Sequence, residues 1–380
     1  MGWWFSKKSM APETRPFLPP WLQGGEPESG FARGYEAMFE EVFRTNPVGQ
    51  RAVRLIAGAV GGLELYGDDE GSEAAVALAG FGGLLEGLAA ALLLHGNAYA
   101  RLANGADGGP GELFALRPER VSIATDSDGW PATYCYRAGL RVERIAARDA
   151  LGRCQVAHLK ALNPGDDHYG AGCLDAAIAA ASIHNRASKW NKALLDNAAR
   201  PSGAMVYAPG DGSSLSGDQF DRLKEEISAQ FAGSANAGRP LILEGGMSWQ
   251  AMSLSPADMD FIALKEAAAR DIALAFGVPP VLIGLPGDAT YANAREAGRA
   301  LYRQTVLPLA NRLLGGIGEM LSDWLGPVKI RIDTDHLTEL AEDRARLWEQ
   351  VNAAGFLSRD EKRAQLGFAP DTNFGSGAGL

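Results

Sequence analysis

The sequence predicts an α+β protein, mainly helical, and three observations carry the prediction. The tract from Leu174 to Arg200 is alanine-rich and free of proline, while Leu301, Leu309, Leu313, Ile317, Leu321 and Trp324 line one side of a second long helix over about 294–325. Between Asn97 and Leu162, short β-like runs are separated by the turn signals Asp107-Gly108-Gly109-Pro110 and Asp126-Ser127-Asp128-Gly129. The chain has 380 residues, 46% hydrophobic and 22% charged, enough to bury one large core or a few smaller ones.

Residues 1–40 hold Pro12, Pro16, Pro19, Pro20 and Pro27 with aromatics between them, which predicts an extended N-terminal arm. Asn46-Pro47 reads as an N-cap followed by proline at the first helical position. Val48, Ala52, Leu55, Ile56 and Ala59 continue that helix to Gly61-Gly62, and Leu63–Tyr66 alternates like a short strand. Ala74–Leu94 is apolar and long enough to span a membrane, but Glu86 sits near its centre and no Lys/Arg cluster flanks it. It is read as a buried or inter-subunit helix, with no membrane as a partner.

The helix after Leu174 carries Asn185, Arg186, Lys189, Asn191, Lys192, Asp196 and Asn197, so its second half is expected to be exposed or to line something wet, and Pro201 closes it. Ser216 and Gln219 form a capping box ahead of an apolar stripe, Phe220, Leu223, Ile227 and Phe231. Leu241–Glu244, Gly245-Gly246 and Met247–Gln250 read as a hairpin. Ser255-Pro256 opens a helix with Phe261, Leu264, Ala268, Ile272 and Phe276 on its apolar face, stopped by Gly277 and Pro279-Pro280. Residues 284–293 form a loop, and Pro308 is expected to kink the helix after it by depriving the Gln304 carbonyl of its partner. Ser358–Glu361 is a further capping box, Gly367 a stop, and the Gly/Ser-rich tail 371–380 is flexible.

Thirty-six Lys+Arg against 46 Asp+Glu give a net charge of −10, opposite to what a tight phosphate grip requires. Cys135, Cys154 and Cys173 have neither metal-ligand nor disulfide spacing and read as free thiols. No phosphate-cradling loop, nucleophile elbow or His-Glu-x-x-His helix is present, so no catalytic residues, cofactor or metal are assigned. The histidines, at 95, 158, 168, 184 and 336, are scattered and read as satisfied or solvated. Asp333, Asp335 and His336 form a compact metal-capable cluster, which keeps a metal-dependent enzyme as the alternative reading.

Several stretches, taken together and in order, resemble the portal proteins of long-tailed bacteriophages and gene transfer agents. They are Asn46-Pro47-Val48 with Arg51–Ile56, Gly96-Asn97-Ala98-Tyr99, Leu116–Val121, Asn197–Gly203, Ala275-Phe276-Gly277-Val278-Pro279-Pro280 with Ile283-Gly284, Thr290-Tyr291-Ala292-Asn293, Leu307-Pro308-Leu309 and Gly355–Glu361. The resemblance implies a non-enzymatic portal fold with wing, helical stem, clip and short crown, assembling into a ring of usually twelve subunits. Such a ring sits at one vertex of a capsid within the virion and is made in the bacterial cytoplasm. It acts as a conduit for double-stranded DNA, read without regard to sequence. Its partners are the major capsid protein, the large terminase motor and a head-tail adaptor.

On that resemblance 41–173 is wing, 174–200 and 255–277 are stem helices, 201–254 is clip, 278–293 carries the tunnel loop, 294–332 crosses the wing and 333–370 is crown. Asp288, Thr290, Tyr291 and Asn293 would line the channel at the tunnel loop, and Arg186, Lys189 and Lys192 at the stem. Asp221, Lys224 and Glu225 would dock a partner at the clip. Twelve copies at −10 each carry about −120, and a largely acidic channel repels phosphates and lets a duplex slide.

Overall fold

The computed structural model describes residues 34–105, 108–196, 203–207, 216–219, 221, 222, 225, 247–251, 261–285 and 290–368. In chain order they form α1 (Tyr35–Phe39) running into a π turn (Glu40–Arg44), α2 (Pro47–Gly61), β1 (Leu65–Tyr66), α3 (Glu70–Ala79) and α4 (Leu84–His95). Six strands follow: β2 (Asn97–Asn104), β3 (Pro110–Leu116), β4 (Val121–Thr125), β5 (Pro131–Ala138), β6 (Arg141–Ala146) and β7 (Val156–Lys160). Then come α5 (Leu174–Asp196), β8 (Gly203–Tyr207), β9 (Met247–Ala251), α6 (Phe261–Ala275), α7 (Tyr291–Leu301), α8 (Leu307–Leu325), β10 (Arg331–Ile332), α9 (Ala341–Ala353) and α10 (Arg359–Gln365). The described residues fall into two compact units, 51–173 with 276–368 and 34–50 with 174–275; the division lies within α2.

In the first unit the β-rich region is antiparallel throughout, as the turn signals predict. One sheet has the order β3-β2-β7 and the other β4-β5-β6. Tyr99, Leu116 and Val156 of the first share a core with Val121, Ile123, Tyr134 and Ile145 of the second. Tyr99 stacks on His158 at 4.3 Å and meets Tyr134 edge-on at 5.8 Å, and Arg101 pairs with Glu143 across the sheets at 2.7 Å. Helix α8 buries Ala310, Leu313, Leu314, Ile317, Met320 and Leu321 against β7, α3 and α4. Gly316 leaves the space that Leu159 fills, since a Cβ there would lie 2.4 Å from the leucine Cδ2.

Two expectations for this unit change. The apolar run 74–94 is two helices, α3 and α4, bent by 65° at their junction. Gly82 and Gly83 adopt φ of 64° and 72°, which L-residues rarely tolerate, so the glycines override the continuous hydropathy. No single helix among the described residues is long and apolar enough to cross a membrane. The long helix over 294–325 begins at Tyr291 and is interrupted by a π turn at Tyr302–Val306, where the Leu307 amide donates to the Tyr302 carbonyl. Pro308 thus falls directly after the π turn, in the first turn of α8, and the backbone stays helical through Val306 and Leu307.

The second unit is organised by a buried polar cluster. Asn46, 1% exposed, accepts from the Val48 and Gly49 amides at 3.0 and 3.1 Å, which makes it the cap of α2. Its Nδ2 donates to Asn185 Oδ1 at 2.9 Å and lies 3.3 Å from His184 Nδ1. Asn185 Nδ2 in turn donates to the Glu41 carbonyl, the Glu41 carboxylate and Thr45 Oγ1. Asn185 is thus buried rather than wet, because the segment 41–46 supplies the acceptors its amide needs. The expected arm 1–40 also ends in α1, whose Met38 is buried along with Val42 of the π turn. Asn46→Ala should cost about 3 kcal/mol, roughly 1 for the cap and the rest for the unsatisfied Asn185 acceptor, read as a lowered denaturant midpoint.

Strand β9 finds its described partner in β8, with Met205 opposite Trp249, more than 40 residues upstream; the hairpin partner 241–244 lies outside the described residues, as does the stripe Phe220–Phe231. Ser216 and Gln219 do form the capping box: Gln219 Oε1 accepts from the Ser216 amide at 3.0 Å and Ser216 Oγ from the Gln219 amide at 3.4 Å. Leu264, read as part of the apolar face of α6, is 45% exposed, while Ala268, Ala269, Ile272 and Ala273 are the buried positions. Alanines there allow α6 to approach α5, which itself buries Leu174, Ala177, Ala181 and Ala187.

Candidate functional site

Three groups of exposed side chains in the second unit carry the functional reading. On α5, Ala179, Ile183 and Arg186 follow the exposed side, and Lys189 and Lys192 continue it over the last turns. On α6, Ala263, Ala267, Arg270 and Leu274 line the exposed side at helical spacing, flanked in the first turn by Ile262 and Leu264. Leu274 is 79% exposed and Ile262 75%, so this face presents bare apolar surface alongside a cation. His184, on the buried side of α5, is held below its ordinary pKa by burial and then by the charge of Lys265. The third group is at the capping box, where Asp221 and Glu225 are exposed and helical; Lys224 lies outside the described residues.

In the first unit, Gly284 closes a short 3-10 turn at φ 81°, and Thr290 is the next described residue after Leu285. Asp288 lies outside the described residues. Thr290 Oγ1 accepts from the Asn293 amide at 3.2 Å, so Thr290 is the N-cap of α7, and Tyr291 and Asn293 belong to the helix rather than to the loop. Ion pairs tie α7 and the π turn after it to α9: Arg295 and Arg299 both meet the Glu342 carboxylate, and Arg299 and Arg303 approach Asp343 at 3.8 Å. Arg299 is the most enclosed of these cations, its side chain 14% exposed.

A second polar hub lies at Asn97, 1% exposed. Its Oδ1 accepts from the Gly170 amide at 2.8 Å and from His158 Nε2 at 3.1 Å; its Nδ2 donates to the Gly170 carbonyl at 3.2 Å and faces His95 Nδ1 at 3.2 Å. These contacts fit neutral imidazoles that carry their proton on Nε2. Burial brings His95 down to about 4 and His158 to about 3, the latter helped by the charges of Lys160, His168 and His95. The cluster Asp333/Asp335/His336 does not form as read. Asp335 pairs with Arg344, and Glu64 takes its place beside Asp333 and His336. None of Cys135, Cys154 and Cys173 is joined in a disulfide.

A family model described as phage portal protein matches residues 47–367. The chain belongs to the phage portal protein family. An uncharacterized protein of Rickettsia felis is 40% identical over 292 residues, 75% of this portal chain and 74% of that protein. A chain in the neck of a native GTA particle, computed with C12 symmetry, superposes with a TM-score of 0.70 at 43% identity, covering 95% of the portal chain and 97% of that one. A chain in the virion of a native gene transfer agent particle gives 0.68 at 44% identity over 91% and 96%.

The portal motifs thus fall largely at joints of the fold. Asn46 and Asn97 are buried hubs, Gly96 takes φ 78° to cap α4, Gly277 takes φ 67° and accepts from Thr305 Oγ1 at 2.9 Å, and Ser358 with Glu361 completes a reciprocal capping box. The place of Glu64 beside Asp333 was not legible, because the strand it meets lies far along the chain. Gly170 was missed as well, and its only local signal is the pair of glycines, 170 and 172, just before α5.

Proposed function

We propose that copies of this chain close into a ring, twelve to the turn, that forms the portal vertex of a capsid and passes double-stranded DNA without reading its sequence. The observation that carries the proposal is the bare face of α6. Ile262, Leu264 and Leu274 stay in water on a helix whose other side is fully packed. Covering each such side chain contributes about 1.5 to 3 kcal/mol. Closed head-to-tail symmetry repeats that gain at every interface, and the related chain belongs to a neck computed with C12 symmetry.

The conduit reading assigns Arg186, Lys189 and Lys192 to guiding the phosphate backbone. It assigns Asp288, Thr290, Tyr291 and Asn293 to the segment facing the duplex, and Asp221, Lys224 and Glu225 to the docking of the terminase motor and head-tail adaptor. A chain of net charge −10 holds DNA loosely, as sliding requires. The chain does no bond chemistry in this account; ATP hydrolysis belongs to the motor.

Mass photometry and negative-stain imaging test the assembly. The wild-type protein should give closed rings with a central hole. Leu274→Asp and Ile262→Asp should give folded monomers, because a carboxylate buried at each interface costs several kcal/mol. Rings that form equally well in both variants, or a wild-type protein that stays monomeric under assembly conditions, would overturn the reading.

A further inference from the structure

The pairing of β1 with β10 sets Leu65 opposite Ile332, so the next pair outward is Glu64 opposite Asp333, and the Asp333 amide donates to the Glu64 carbonyl at 2.8 Å. Two carboxylates directly opposite across a ladder repel each other. The neighbouring cations are already engaged: Arg331 pairs with Asp68 at 2.7 Å and Arg344 with Asp335. Between the two carboxylates stands the His336 imidazole, its Nδ1 at 3.5 Å from Asp333 Oδ2 and 3.6 Å from Glu64 Oε2. The three ligand atoms all lie within 4.8 Å of one another.

Both separations are too long for a good hydrogen bond. They suit instead the edge of a coordination shell, where bonds of about 2.1 Å set neighbouring ligand atoms about 3.0 to 3.4 Å apart, within reach of a small carboxylate rotation.

We propose that Glu64, Asp333 and His336 form a site for a divalent transition ion, zinc by its ligand set, that clips β1 to the start of the C-terminal segment. One imidazole and two carboxylates favour zinc-like ions over magnesium or calcium, which take oxygen alone. Three protein ligands leave a position for water. The ion removes the repulsion across the ladder and ties the chain entering α9 to the strand that follows α2. The site differs from a cluster within 333–336 alone: Asp335 is spoken for by Arg344, and the third ligand comes from the other strand.

The test is calorimetric titration of Zn²⁺ into tag-free full-length protein stripped with chelator, with Co²⁺ absorption as a second probe of the ligand shell. The wild-type chain should bind one equivalent and develop a visible Co²⁺ band. His336→Ala and Glu64→Gln should each weaken binding at least tenfold, whereas Asp335→Asn should bind as the wild type does. Glu64→Gln removes a charge from an exposed side chain and keeps the test open should His336→Ala fold poorly. Absence of Zn²⁺ binding by the wild type, equal binding by Glu64→Gln, or loss of binding only in Asp335→Asn would overturn the proposal, whatever the protein's assembly state.

Discussion

Gly170→Ala should lower the stability of the β-rich unit by about 4 kcal/mol, combining overpacking with two lost hydrogen bonds. A Cβ at this position would lie 2.0 Å from the Gly96 carbonyl oxygen and 2.6 Å from the Ala161 amide nitrogen. Both obstacles are backbone, so no rotamer change relieves them. The chain must move, and Gly170 is held in place by Asn97, which accepts from its amide at 2.8 Å and donates to its carbonyl at 3.2 Å. Displacing residue 170 breaks both bonds and leaves a buried amide side chain short of partners. Gly172→Ala, whose Cβ would meet the Leu94 carbonyl at 2.4 Å, should behave alike. Gly152→Ala, where nothing lies within 4 Å but φ is 79°, should cost only the local strain, about 1 kcal/mol. Thermal melting of the three variants checks the ranking; a Gly170→Ala protein that melts with the wild type would show that the loop gives way freely.

The second large effect is acid lability. His95 and His158 titrate near 4 and 3 in the fold, against about 6.5 in the unfolded chain. Below that value the unfolded chain binds more protons than the folded one, so stability falls as pH falls. The contribution is complete above about pH 6.5 and is lost through about pH 4 for His95 and about pH 3 for His158. By pH 4.5 each histidine should have removed about 2 kcal/mol. Urea melts between pH 7.5 and 4.5 should show the midpoint dropping steadily, and His158→Gln, which keeps a donor toward Asn97 Oδ1, should reduce the slope by about half. An unchanged slope in that variant would place the acid sensitivity elsewhere.

Much of the fold is legible because its signals are local. Asn46-Pro47, Ser216 with Gln219 and Ser358 with Glu361 each satisfy amides within three residues, so the residue pattern and the helix start are one fact read twice. The antiparallel strands between 97 and 160 are joined by short turns whose aspartates and glycines announce them, as where Asp126 Oδ1 accepts from the Asp128 and Trp130 amides. The break between α3 and α4 was written in Gly82 and Gly83, yet hydropathy alone reads straight through it. Burial within α5 was not legible, since Asn185 and Arg186 look alike as polar residues, yet Asn185 is buried on the acceptors of segment 41–46 and Arg186 is exposed.

By itself the sequence determines the capped helix starts at Asn46, Ser216 and Ser358, the alternation that makes the small sheets, a net charge of −10, and an order of motifs shared with portal proteins. Tertiary structure alone decided that Asn97 would gather His95, His158 and Gly170, that β9 would pair with β8, and that Glu64 would face Asp333 rather than leave Asp335 in that place. The physical reason is range. Backbone amides near a helix end must be satisfied by whatever lies a few residues away, so their partners are encoded nearby. A buried side chain or an exposed helix face is satisfied by any chemically suitable group the packing delivers, and its identity does not name a partner many residues distant.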